Sequence, residues 1–195
     1  MQLRQLQITS DDWEERANKA LSHFGYSYPD EIDMYDICWR YGIKILPLDA
    51  PFLEGLTDYQ SVSHLKALSI PKGTGRRGSI FIKEGLDPIE KKLLLAEEFC
   101  HIYSHHSSQL SIDKYNIGKT EKQAQKMAAY LLMPKNFMET VYDAAFDEVV
   151  LISDIADHFV VTEVFAHYRL ELTFNRTVDA LYALRGKLGT LEWYE

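Results

Sequence analysis

The sequence predicts an α+β fold, in which a small antiparallel sheet is followed by a long helix and a mostly helical C-terminal part. Three short apolar runs, at 43–48, 66–70 and 79–82, are bounded by turn residues and are typical of strands. From residue 88 onward, capping signals introduce segments with helical periodicity. Apolar residues make up 46% of the 195-residue chain, which is enough to bury a core.

The N-terminal part is predicted to contain two helices. Asp11 and Glu14 have the spacing of a capping box that opens the first helix, which extends to about Phe24. Pro29 suits the first turn of the second helix, and Gly42 suits its end. The apolar face of this second helix is predicted to comprise Ile32, Tyr35 and Trp39.

The sheet is predicted to end in a hairpin that leads directly into the long helix. The runs at 66–70 and 79–82 flank a glycine-rich basic segment and are expected to pair as antiparallel strands. This segment lacks the Gly-Lys-Ser/Thr ending of a phosphate-binding loop. A basic hairpin loop is therefore the better interpretation.

The long helix has the clearest start signal in the chain. Asp87 suits the N-cap, Pro88 the first helical position and Glu90 the third position of a capping box. The helix continues through the apolar residues 93–96, so it is predicted to be buried. Charged side chains on a buried helix need partners, and a metal ion is one way to supply them.

Three charged or titratable residues follow this apolar run: Glu97, Glu98 and His101. One helical turn separates Glu97 from His101, so both side chains face the same point. In the zinc motif His-Glu-x-x-His, two ligands have this spacing and the glutamate after the first ligand is the general base. Here Glu97 occupies the first ligand position, and carboxylate oxygen is an accepted zinc ligand. The alternative is an ordinary solvated helix face.

Glu121 is the candidate for a third ligand. Thr120 and Gln123 have capping-box spacing and are predicted to open another helix, which ends before Pro134. Taken alone, Glu121 is better explained as an acidic residue in a first helical turn, where the helix dipole favours negative charge.

The chain after residue 134 is predicted to form a helical extension, 135–195, on a core comprising residues 1–134. Its helices are expected at 137–145, 152–158 and 163–172. With Thr162 as the N-cap of the last one, the final pair is helix-turn-helix-like. This extension has five basic and eleven acidic residues. Because a DNA reader requires the opposite balance, packing against the core is the favoured role.

Taken together, these segments resemble the ImmA/IrrE family of metallo-endopeptidases. Residues 95–101 read Leu-Ala-Glu-Glu-Phe-Cys-His, and residues 121–134 end in Leu-Leu-Met-Pro, both close to the family pattern. The resemblance extends over roughly residues 30 to 172. Two positions differ from the family, because Glu97 replaces a histidine and Cys100 replaces a glycine.

The resemblance implies a zincin-like fold and a metal-dependent endopeptidase. In this interpretation Glu97, His101 and Glu121 bind Zn²⁺, and Glu98 is the catalytic base. Two carboxylate ligands also suit Mn²⁺ or Fe²⁺. The implied substrate is a helix-turn-helix repressor of a phage or mobile element. The alternative is a catalytically weak or inactive family member that regulates another protein by binding it.

Composition restricts the other classes of function. The formal net charge of −8 makes nucleic acid an unlikely partner. No run of about eighteen apolar residues is present, so no membrane association is expected. The two cysteines, Cys38 and Cys100, do not form a disulfide framework and are predicted to be buried thiols. These features predict a cytoplasmic protein, and they leave its oligomeric state open.

Overall fold

The computed structural model describes residues 11–73, 75–105 and 114–174. Its helices, in chain order, are α1 (Asp12–Leu21), α2 (Met34–Arg40), α3 (Ala50–Leu53), α4 (Tyr59–Val62), α5 (Pro88–His105), α6 (Lys114–Leu132), α7 (Lys135–Asp147), α8 (Ile152–Phe159) and α9 (Glu163–Phe174). Its strands are β1 (Ile43–Pro47), β2 (Ala67–Pro71) and β3 (Gly78–Ile82). The predicted α+β class is confirmed. No helix among the described residues is both long and apolar enough to cross a membrane.

The chain divides into two compact units. Among the described residues, one unit comprises 32–128, and the other combines 11–31 with 129–174. The first unit contains the sheet, α5 and most of α6, and therefore all the candidate site residues. The predicted domain boundary after residue 134 remains a prediction.

The sheet has the strand order β1-β3-β2. Strands β2 and β3 are antiparallel, with Ala67 opposite Ile82, so the predicted hairpin is confirmed. Strand β1 pairs with β3 in parallel, with Ile43 opposite Gly78, and the sheet is therefore mixed rather than wholly antiparallel. The connection from β1 to β3 contains α3, α4 and β2, which makes it long enough for a parallel arrangement.

The two faces of the sheet pack against different elements. Because side chains alternate along a strand, Leu68 and Phe81 point to one face. There they pack in a buried cluster with Leu48, Leu53 and Val62. Helix α5 packs against β2 and β3, and it covers the opposite face.

Gly78 shows how closely α5 approaches this face. A Cβ atom at this position would lie 2.6 Å from the Ile70 carbonyl oxygen and 3.1 Å from Cδ1 of Ile102 on α5. Backbone atoms cannot move away as a flexible side chain can. The first residue of β3 is therefore restricted to glycine by the packing of the helix and the hairpin.

Helix α2 differs from its prediction in both its start and its buried face. Residues Pro29–Glu31 form a separate 3₁₀ turn, and α2 begins at Met34 after Asp33, whose Oδ1 accepts from the Tyr35 N–H at 2.8 Å. Ile32 therefore lies before the helix and does not share a helical face with Tyr35 and Trp39. Ile32 is buried as predicted, but Tyr35 is 46% and Trp39 is 76% exposed. The buried residues of the helix itself are Met34, Ile37 and Cys38.

Helix α6 begins earlier than predicted. It extends from Lys114, so Thr120 lies inside the helix instead of at its N-cap. Gly118 is the one strong helix-weakening residue in this added stretch, and its cost of about 1 kcal/mol does not prevent the helix. Glu121 consequently lies beyond the first turn, and a favourable interaction with the helix dipole does not explain it. The predicted end before Pro134 is confirmed.

Arg169 organises the second unit from inside its core, where it is 2% exposed. Its Nε donates to the Met133 carbonyl oxygen at 2.8 Å, and its Nη1 donates to the Thr173 hydroxyl. Its Nη2 lies 3.5 Å from Oε1 of Glu14, a buried residue of α1. The guanidinium carbon also lies 4.7 Å from the centre of the Tyr130 ring. These contacts hold α1, α9 and the end of α6 together.

The predicted helix-turn-helix-like pair is present as α8 and α9. Thr162 caps α9 as predicted, because its Oγ1 accepts from the Phe165 N–H at 3.2 Å. Val160, in the turn, has a left-handed backbone conformation with φ of 52°. Since this conformation is unfavourable for a β-branched residue, the surrounding packing must stabilise the turn.

Candidate active site

The start of α5 positions the site residues along the sheet. Asp87 Oδ1 accepts hydrogen bonds from the Ile89 and Glu90 N–H groups, at 2.9 and 3.2 Å, which confirms the predicted cap. The Glu90 carboxylate pairs with the Lys66 ammonium group, next to β2. This end of the helix is therefore held both by its cap and by the residue preceding the hairpin.

The structure brings His101 and Glu121 together from α5 and α6. His101 Nε2 lies 3.3 Å from Oε2 of Glu121. The His101 side chain is buried and that of Glu121 is about half exposed. Burial alone lowers the pKa of His101. The hydrogen bond to Glu121 and the negative charges of Glu98, Glu121 and Glu97 outweigh this effect, so the pKa of His101 is raised.

Glu97 belongs to the same group of charges. Its pKa is raised from 4.5 to about 7, mainly by burial and in addition by repulsion from the carboxylates of Glu98 and Glu121, against the opposing effect of His101. These interactions show that the three carboxylates and the imidazole lie close enough to influence one another. A divalent cation would remove the repulsion among them.

Glu98 is the most buried carboxylate of the group, with 7% of the residue exposed. The hydroxyl and the backbone N–H of Ser69 donate hydrogen bonds to it. Its Oε2 is buried and has no hydrogen-bond partner among the described residues. Burial raises the pKa of Glu98, although His101 and the two hydrogen bonds from Ser69 lower it in part. One oxygen of the Glu98 carboxylate therefore accepts hydrogen bonds from Ser69, and the other, Oε2, accepts none from the described residues.

Comparison with known protein families identifies the family of the chain that carries these residues. The family profile of the IrrE N-terminal-like domain, a peptidase family, matches residues 38–171. The chain belongs to this family. The match includes the sheet, α5, α6 and all four candidate site residues, and it confirms the resemblance that the sequence predicted. Comparisons with curated proteins and with solved structures find no match.

The fit of an IrrE-type metal ion can be judged from the donor atoms. Glu97, His101 and Glu121 are donor types that zinc accepts, and Oε2 of Glu98, which has no hydrogen-bond partner in the described ranges, lies in the same group. In the described part of the chain, no three His, Cys, Asp or Glu side chains are arranged so that they could hold a metal ion. The charge and the donor types fit a divalent cation, and His101 and Glu121 are already in contact, but Glu97 is not arranged with them as a third ligand. The complete ligand set remains a prediction.

Cys100, which lies next to the site residues in the sequence of α5, is a buried free thiol. Cys100 and Cys38 are both buried and free, as predicted. Burial raises the pKa of the Cys38 thiol to about 12, and that of Cys100 well above its usual value. Thiols in this state are poor nucleophiles. Cys100 therefore fills space beside the site residues and takes no part in chemistry.

The sequence interpretation missed Ser69 and the partnership between Arg169 and Glu14. A signal for Ser69 was present, since it is a polar residue in the middle of a predicted strand that leads to the site helix. The pairing of Arg169 with Glu14 had no local signal, because the two residues are 155 positions apart.

Proposed function

We propose that the chain is a metal-dependent endopeptidase that cleaves a helix-turn-helix repressor of a phage or mobile element. The observation that carries the proposal is the state of Glu98. Its carboxylate is buried beside the pair formed by His101 and Glu121, with one oxygen without a hydrogen-bond partner among the described residues. Burying a carboxylate without a full set of hydrogen bonds costs free energy. Such perturbed carboxylates are found mainly at functional sites.

The residues that would hold the cation are Glu97, His101 and Glu121. When bound, a zinc-like cation supplies Lewis acidity and makes a bound water more acidic. Glu121 already contacts His101, and Glu97 lies one helical turn before His101 on α5. Two carboxylates in this set would neutralise the charge of a divalent cation, and oxygen-rich ligation reduces the preference for zinc over manganese or iron.

Glu98 would act as the general base. The free Oε2 accepts a proton from the water that attacks the peptide carbonyl carbon. Glu98 then donates that proton to the amine nitrogen of the leaving group, as the carbon–nitrogen bond breaks. Because burial raises the pKa of Glu98, this carboxylate binds a proton more readily near neutral pH than an exposed one does.

The repressor substrate is supported by the resemblance to ImmA/IrrE proteins. The test is incubation of the zinc-loaded chain with the purified helix-turn-helix repressor encoded next to its gene. We expect the wild type to cleave it. Glu98→Gln should bind zinc normally without cleaving, because it removes the base but none of the proposed ligands. His101→Ala should lose both zinc and cleavage. Equal cleavage by the wild type and Glu98→Gln would exclude this mechanism.

A specific observation favours a second candidate, a protein-binding regulator with little or no proteolysis. Burial and the neighbouring carboxylates raise the pKa of Glu97 to about 7, so a proton competes with a metal ion for this carboxylate and weakens it as a ligand. Sedimentation of the chain with the same repressor distinguishes the two candidates. A stable complex without cleavage, at saturating zinc, would favour regulation by binding.

A further inference from the structure

The backbone N–H of Ser69 points away from strand β3, with which β2 pairs. At one end of the hairpin, the Lys83 N–H donates to the Lys66 carbonyl oxygen at 2.9 Å. At the other end, the Lys72 N–H donates to the Arg77 carbonyl oxygen at 2.8 Å. In an antiparallel pair, hydrogen-bonded and non-hydrogen-bonded positions alternate, so the even-numbered residues of β2 bond to β3. The N–H of Ser69 therefore points to the outer edge of the sheet.

The side chain of Ser69 points to the face that α5 covers. Ala67 and Pro71 share this face on β2, so Ser69 provides the one hydroxyl among them. It is 1% exposed, and a hydroxyl buried in an apolar layer needs a hydrogen-bond partner. Glu98 is that partner for both the hydroxyl and the N–H. One residue thus supplies two hydrogen bonds to one carboxylate.

We propose that Ser69 is a positioning residue for the base: its two donors hold one carboxylate oxygen of Glu98, so that Oε2 remains directed at the reacting water. This inference rests on the proposed endopeptidase function. A glutamate without such contacts samples several rotamers and exchanges its two oxygens by rotation. Strand β2 is paired with β3 and packed against α5, which makes it a rigid support for the carboxylate.

The contact can be tested without any cleavage. In hydrogen exchange followed by NMR, the Ser69 amide should be protected in the wild type, although it faces an unpaired sheet edge. Glu98→Ala should accelerate its exchange at least tenfold. Glu98→Gln should preserve protection, because an amide oxygen still accepts the bond. The neighbouring Leu68 amide, which bonds to β3, is the internal control and should not change. Equal protection of Ser69 in the wild type and Glu98→Ala would overturn the proposal.

The role in catalysis is tested on the zinc-loaded chain with the same repressor. Ser69→Ala should reduce kcat on the order of ten- to a hundredfold and leave KM within twofold, because positioning of the base acts on the chemical step. Ser69→Thr keeps both donors and should retain most of kcat. Zinc affinity should be the same in all three chains. An unchanged kcat in Ser69→Ala would overturn the proposal.

The outcomes separate this inference from the function on which it rests. If the wild type cleaves no repressor, the proposed function fails and the catalytic role of Ser69 fails with it. The exchange experiment still shows whether Ser69 holds Glu98. If the wild type cleaves and Ser69→Ala cleaves equally well, only the positioning role is refuted.

Discussion

Removing the charge of Glu97 should stabilise the metal-free protein at high pH. The folded chain raises the pKa of this carboxyl from 4.5 to about 7, so the folded state binds the proton more tightly than the unfolded state does. The stability associated with that proton is complete below pH 4.5 and is lost as the pH rises through 7. Glu97→Gln keeps the shape of the side chain and removes this loss.

The magnitude follows from the size of the shift. If the whole pKa difference is converted into free energy, the charged Glu97 lowers the free energy of unfolding by about 3 kcal/mol at pH 8.5. Because the side chain is partly exposed, we reduce this value to about 2 kcal/mol. For a chain of this length, 2 kcal/mol raises the unfolding midpoint by about 4–8 °C. At pH 4.5 the wild type and Glu97→Gln should unfold at nearly the same temperature, because the carboxyl is then almost fully protonated in the folded state and about half protonated in the unfolded state, which leaves a difference of only about 0.4 kcal/mol.

The assay is thermal unfolding monitored by circular dichroism, after removal of metal with a chelator, at pH 4.5 and pH 8.5. Glu84→Gln, in the exposed turn before α5, is the matched control and should change stability little at either pH. A variant no more stable than the wild type at pH 8.5 would refute the inference that burial, together with repulsion from Glu98 and Glu121, destabilises the charged form of Glu97. The same variant should bind zinc at least tenfold more weakly, and unchanged zinc affinity would show that Glu97 is not a ligand.

Three further predictions concern single side chains. Glu97→His should bind zinc more tightly and prefer it more strongly over manganese, as competition titrations would show; unchanged or weaker affinity would argue against position 97 as a ligand. Arg169→Met should lower the free energy of unfolding by about 3–5 kcal/mol because it leaves Glu14 buried without its cation, and adding Glu14→Gln should restore part of that loss. Gly78→Ala should cost about 1–3 kcal/mol because its Cβ would meet the Ile70 carbonyl oxygen at 2.6 Å, and wild-type stability would contradict the close packing of α5.

Much of the local structure could be predicted from short-range signals. The cap at Asp87, the stop before Pro134 and the cap at Thr162 are confirmed, because each depends on a few consecutive residues. The start of α6 was predicted too late. The sequence at Thr120 resembles a cap, but a capping box does not stop a helix that already extends through it.

The predicted face of α2 failed for a related reason. Tyr35 and Trp39 are apolar enough to suggest burial, yet they are exposed. Ile32, which was assigned to the same face, lies before the helix begins at Met34, and Ile37 and Cys38 are buried instead. Large aromatic residues are often left at the surface, so apolar character alone does not select the buried face.

The sequence by itself determined the helix that carries Glu97, Glu98 and His101, and their spacing along it, because helical geometry follows from neighbouring residues. Only the tertiary structure decided which distant groups meet them. The contact between His101 and Glu121, and that between Glu98 and Ser69, join different elements. The parallel entry of β1 into the sheet is of the same kind. Such contacts depend on how whole helices and strands pack, and no local pattern in the chain specifies them.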